Sequence, residues 1–210
     1  MRNKVRGRLL IAAGALLLTA AVSLVLFNRI QDSKAGEHAE KQLVLVKEHI
    51  AAQPADSKQP DESLPQDPET PEPESESEPE ALELDGEYYI GIVAIPKLGI
   101  ELPVMRDWSE EKMAEAPCCY SGTAAGRDMV ICAHNYSTFF AELDTLESGD
   151  EVIYTELSGR QRRYTVGWTE LINGWDTAKM TSGSDSWDLT LFTCTWAGYS
   201  RVTVRCTEIK

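Results

Sequence analysis

Histidine is scarce in this chain: there are three among 210 residues, and only His134 lies beyond residue 85. Any imidazole chemistry in the C-terminal part therefore rests on one ring. Basic surface is lacking too, because 20 Lys and Arg stand against 34 Asp and Glu, for a formal net charge of −14. The deficit is even, with nine basic and sixteen acidic groups in residues 1–85 and eleven and eighteen in residues 86–210. No basic patch is left to meet a phosphate backbone, which argues against nucleic acid as a partner. No internal repeat is present. The cysteines, Cys118, Cys119, Cys132, Cys194 and Cys206, are odd in number, so at least one thiol stays unpaired within a single chain. The adjacent Cys118 and Cys119 lack the two-residue gap of common zinc knuckles, so no metal site is expected. A redox role for that pair is a separate option.

Three parts of different composition make up the chain. Residues 1–30 are basic and then apolar: Arg2, Lys4, Arg6 and Arg8 precede an uncharged run of 19 residues, 9–27. As a helix the run spans about 28 Å, close to the roughly 30 Å of bilayer hydrocarbon. It reads as a single membrane anchor with a cytoplasmic basic tail, the remaining chain lying outside the cell. A cleaved secretory signal, with Ala20, Ala21 and Ser23 as small residues, is the other reading, and both export the C-terminal part. Residues 31–85 read as a stalk and an acidic linker. Leu43, Val46, His49 and Ile50 fall near one stripe of a helix over 34–52. Beyond it, seven of the ten prolines lie between Pro54 and Pro79 among glutamates and serines. Such a tract buries too little apolar area to offset its ordering entropy. It is expected to be a spacer that holds a domain away from the membrane, reaching on the order of 100 Å if extended.

Residues 86–210 are long enough for one core. They read as short strands over 88–95, 100–105, 129–133, 151–157, 160–171, 189–195 and 201–209, with turns at Pro96-Lys97-Leu98-Gly99 and Ser158-Gly159. Pro103 places the second strand at an edge. Ser109, with Glu110 and Glu111 after it, caps one or two helical turns, and a short helix is expected within 137–146. Seven or eight short strands with little helix predict a mainly β fold, a barrel or sandwich.

The densest information is in Thr190, Leu191, Phe192, Thr193 and Cys194, with Arg201 seven positions on. A strand alternates its faces, so Phe192 and Cys194 share one side and Leu191 and Thr193 the other. On the return strand Arg201 lies nearest the loop and so nearest Cys194, whereas Arg205 is about 13 Å further along. His134 ends another apolar strand and opens the polar loop Asn135, Tyr136, Ser137 and Thr138. Taken singly, such a cysteine is a small core residue and a lone histidine a surface one. Thiol, imidazole and guanidinium together in one exported β-domain are the parts of an acyl-transferring cysteine enzyme. The loop 173–187 precedes the cysteine strand, and its Trp175 and Trp187 either wall a substrate pocket or belong to the core.

These segments resemble the sortases. Leu189 to Cys194 with Ser200 to Val204 is similar to their active-site hairpin. Val130 to Tyr136, with Phe139, Phe140 and Leu143, is similar to their histidine strand, and Ala116, Pro117 and Tyr120 to Thr123 to the segment upstream. Residues 90–99 are similar to the opening strand. The resemblance implies a seven- to eight-stranded sortase-like β-barrel over 86–210. It implies a membrane-anchored transpeptidase of a Gram-positive cell that cuts a Leu-Pro-x-Thr-Gly-like sorting signal and joins the new carboxyl end to an amine of a peptidoglycan precursor or a pilin. Cys194 would be nucleophile, His134 general acid and base, and Arg201 the hydrogen-bond donor to the substrate carbonyl and oxyanion, with Thr193 beside the substrate. No cofactor is implied. Ala133 stands where many sortases have glycine, and 171–189 leaves no room for the long helix of the sortase B type. A cysteine peptidase that only hydrolyses, and a non-catalytic β-domain that binds wall components, are the alternatives.

Overall fold

The computed structural model describes residues 2–53, 80–181 and 186–209. The acidic spacer expected over 54–79 lies outside them. Nine strands form one sheet: β1 Leu82–Leu84, β2 Glu87–Ile95, β3 Ile100–Met105, β4 Cys118–Ser121, β5 Met129–Cys132, β6 Glu151–Glu156, β7 Gln161–Asn173, β8 Leu189–Cys194 and β9 Ser200–Glu208. Eight of them run β2-β3-β4-β5-β8-β9-β7-β6, and β6 pairs back onto β2, so the sheet closes into a barrel with β1 appended outside β2. Closure happens at Gly91, which pairs with Val104 on one side and Glu156 on the other. A Cβ at Gly91 would come to 2.4 Å from the Thr155 carbonyl oxygen, so only glycine lets the backbones approach. The interior holds Ile131, Leu191, Val204, Phe139 and Phe140, each at most 1% exposed.

The mainly β barrel with short helices agrees with the sequence reading. Two strands are additional to it. β1 falls inside the stretch read as linker, and β4 carries Cys118 and Cys119. Helix α2, Glu110–Met113, starts where expected: the Ser109 hydroxyl accepts from the Lys112 N–H at 3.1 Å. Over 137–146 the chain makes a 3₁₀ turn at Leu143–Thr145 in place of a helix. α3, Ala178–Thr181, lies in the 173–187 loop.

Helix α1 runs unbroken from Arg2 to Ala52. Its N-terminal half is long and apolar enough to cross a membrane, with Leu10 74% and Phe27 58% exposed. Its C-terminal half is docked on the barrel. Ala35, Ala39, Gln42 and Val46 are buried against β2 and β3, and Lys47 reaches Glu101 at 2.6 Å. Leu43 and Ile50 are partly buried beside Val46 at the C-terminal end of this interface. β3 explains the docking. It pairs with β2 but meets β4 only at Met105 and Cys118, so Pro103 sits beside an unpaired edge that α1 covers.

Candidate active site

Strand register assembles the site. β5 and β8 are parallel, with Cys132 opposite Phe192. The bond from the Ala133 N–H to the Phe192 carbonyl (3.2 Å) carries the pairing one step further. The next residues along the two strands are His134, after Ala133, and Cys194, after Thr193. On the other side of β8, Cys194 lies directly opposite Arg201. Partners across a ladder share a face, so Cys194 and Arg201 point the same way at one end of the barrel wall, the end at which the His134 strand also stops. That end is open: Cys194 is half-buried, and Trp196 and Tyr199 in the next loop are 93% and 76% exposed.

The three side chains are held differently. His134 donates its backbone N–H to the Met113 carbonyl at 3.2 Å. Its Nδ1 accepts the Asn135 N–H at 2.8 Å, which assigns the remaining proton of the neutral ring to Nε2. The ring stacks on Tyr136, centroids 4.3 Å apart and planes 7° from parallel. Solvent reaches the ring edge, but the crowded face desolvates it and holds its pKa below the ordinary imidazole value, against the opposing pull of Asp32 and Glu110. We expect an NMR titration of the full chain to place His134 below about 6.5; a value at or above that contradicts the packing described. Below about pH 6.5 the unfolded chain binds the extra proton first, so this residue's contribution to stability falls as pH falls toward the folded pKa.

The Arg201 guanidinium donates from Nη1 to the Gly198 carbonyl at 3.0 Å and to its own loop at the Ser200 carbonyl at 3.3 Å. It lies over Gly174, where a Cβ would come to 2.9 Å from Nη1. Gly174 makes room for the cation, a role its place after Asn173 in a turn only hints at. Arg205, by contrast, is 1% exposed and bonded to Glu170 (3.0 Å), Thr190 (2.8 Å) and the Met180 carbonyl (3.2 Å). It ties α3 to the sheet.

All five cysteines are free. Burial pushes Cys118 up to about 12, Cys119 up to about 11 and Cys206 up to about 12, and raises Cys132 as well. These four are packing residues held as thiols. Cys118 and Cys119, adjacent in β4, point to opposite faces, and Cys118 faces Cys132 in the ladder.

Thr193 and Trp187 are engaged in contacts of their own. Thr193 is 1% exposed, turned to the face opposite Cys194, where its hydroxyl donates to the Ala133 carbonyl at 2.9 Å. It ties the histidine strand to the cysteine strand. Trp187 packs edge-on to Trp168 at 5.5 Å, and the Arg205 guanidinium lies 4.2 Å from its ring centroid. Trp175 is 87% exposed beside the site. Sequence reasoning passed over Asp32, which accepts the backbone N–H groups of Ser137 (3.1 Å) and Thr138 (3.3 Å) and both their hydroxyls. It also passed over Asn135, whose buried Oδ1 has no partner among the described residues. Among the described residues no three His, Cys, Asp or Glu side chains converge as metal ligands would.

The family model for the sortase domain matches residues 93–209, more than half of the chain. Similar solved structures include sortase A from Corynebacterium diphtheriae, 22% identical with a TM-score of 0.53, covering 59% of this chain and 62% of that one. A sortase D5 transpeptidase of Clostridium perfringens is 20% identical with a TM-score of 0.61, covering 83% of this chain and 99% of that one. Clostridium perfringens sortase C, solved with the C-terminal cell wall sorting motif, is 21% identical with a TM-score of 0.51, covering 58% and 71%. This chain thus spans less than two thirds of the Corynebacterium enzyme. No curated protein sequence matches.

Proposed function

The chain belongs to the sortase family, and from that premise we propose that it is a membrane-anchored cysteine transpeptidase. It would cut a Leu-Pro-x-Thr-Gly-like signal near the end of an exported protein and join the new carboxyl end to an amine of a cell-wall precursor or a pilin. The observation that carries this reading is the register that puts Cys194 opposite Arg201 and beside the end of the His134 strand.

In the proposed cycle the Cys194 sulfur attacks the carbonyl carbon of the signal's Thr. Negative charge collects on the carbonyl oxygen, where the Arg201 guanidinium, fixed at the loop, donates hydrogen bonds. The Cys194 thiol gives its proton to His134 as the sulfur attacks, and the imidazolium so formed passes that proton to the glycine amine as the C–N bond breaks, leaving a thioester on Cys194 and a neutral ring. The incoming amine then gives its proton to the neutral imidazole as it attacks, the C–S bond breaks, and the imidazolium returns the proton to the departing sulfur, regenerating the thiol. Trp175, with the exposed Trp196 and Tyr199, would wall the signal's Leu and Pro. The apolar half of α1 is the anchor, with the basic N-terminus inside and the barrel outside. The Clostridium perfringens sortase C structure solved with the C-terminal cell wall sorting motif supports such a signal as substrate here.

The experiment is product analysis with the full chain in detergent, a Leu-Pro-x-Thr-Gly peptide, and oligoglycine present or absent. We expect oligoglycine to convert the product from the free Thr acid to the amide. Free acid in equal yield with and without the amine would make the protein a hydrolase.

A further inference from the structure

The helix that leads to the membrane also touches the histidine loop. Asp32 stands five residues beyond Phe27 on α1, about 8 Å at helical rise. Its carboxylate gathers four donors, the N–H and hydroxyl of Ser137 and of Thr138. One turn on, Gly36 lies so close to Thr138 that a Cβ would come to 2.8 Å from its Cγ2. Ala35 and Ala39, 6% and 0% exposed, allow the same close approach. His38 faces Glu115 at 3.8 Å, just before β4. The loop held in this way is short. It runs from His134 through Asn135 and Tyr136 to the pinned pair, and Phe139 and Phe140 then plunge into the barrel. Tyr136 packs on Phe139 at 5.7 Å and on the His134 ring at 4.3 Å. Contacts thus run unbroken from α1 to the imidazole.

We propose that Asp32 is a positioning residue of the catalytic site, and that α1 is a rigid mount joining membrane and histidine loop. This rests on the transpeptidase reading for the role of His134. The linker after α1 cannot set the height of the site, because the helix is bound to the barrel before the linker begins. From Phe27 through Asp32, the loop and one strand spacing, Cys194 stands within about 30 Å of the anchor's outer end. The enzyme therefore works at the membrane surface and not at the end of a long tether.

The charged groups acting on the His134 ring are Asp32 from α1 and Glu110 from α2, both favouring the imidazolium; Cys194 and Arg201 lie alongside on β8 and β9. Removing the Asp32 carboxylate therefore lowers the histidine's pKa further as well as loosening the loop.

The test uses the full chain in lipid nanodiscs. Asp32→Ala and, from the other side of the clamp, Ser137→Ala with Thr138→Val are expected to lower kcat about 10- to 100-fold with little change in KM. Asp32→Asn, which keeps the side-chain volume, should move the His134 NMR titration to lower pH in a chain whose unfolding midpoint shows it folded. Lys47→Ala, which removes a different contact of α1, should leave both readouts unchanged. The proposal is overturned if Asp32→Asn leaves the titration in place, or if Lys47→Ala changes it as much. The titration needs no substrate, so its outcome stands even if the amine experiment shows the protein to be a hydrolase.

Discussion

Cys194→Ala abolishes turnover of the sorting-signal peptide, lowering kcat by at least about 10⁴-fold, while the fold is kept. No other thiol can take over. Cys118, Cys132 and Cys206 are fully buried, Cys119 is tied to the Ser121 and Gly122 carbonyls, and burial keeps all four protonated. None of the four sits across a ladder from a guanidinium at the open end of the barrel, as Cys194 does. The change removes one half-buried sulfur at a strand end, so the unfolding free energy should move by less than about 1 kcal/mol. Paired measurements of peptide cleavage and thermal unfolding check both halves. Residual cleavage within tenfold of the parent would mean that Cys194 is not the nucleophile.

Arg201→Lys should cost on the order of 10²- to 10³-fold in kcat, with KM changed far less. The charge survives the substitution, so a purely electrostatic role would be largely preserved. What is lost is the planar fork. Arg201 holds the β8–β9 loop through the Gly198 and Ser200 carbonyls with one nitrogen and keeps its other donors for the substrate carbonyl as charge develops there. An ammonium on a flexible stem cannot make both sets of bonds in one geometry. Steady-state kinetics separate the cases: a rise in KM at constant kcat would mean ground-state binding and would contradict the oxyanion role.

Much of the barrel was legible because its strands alternate. The face argument on β8 put Cys194 and Phe192 on one side, distance along the return strand chose Arg201 over Arg205, and the ladder pairs Cys194 with Arg201 and Thr190 with Arg205. Ser109 announced its helix because capping is local chemistry. The remaining readings differ from the structure for separate reasons. The resemblance implies Thr193 beside the substrate, but the same alternation turns it to the face opposite Cys194. Trp187 reads equally as pocket wall or core, and it covers Arg205, a partner 18 positions along the chain. The apolar stripe near Val46 was visible, but nothing local says that this face of the helix meets β3; that depends on the edge β4 leaves unpaired. Asp32 was read as one acidic residue among many, because its partners lie 105 and 106 residues away.

The most direct test is intact mass spectrometry of the full chain mixed with sorting-signal peptide and no amine. Thioester chemistry at Cys194 predicts an adduct equal in mass to the peptide's acyl part up to the Thr, released by hydroxylamine, and absent from Cys194→Ala. Peptide consumed with no adduct under rapid quenching, or an adduct that persists without the Cys194 sulfur, would contradict it.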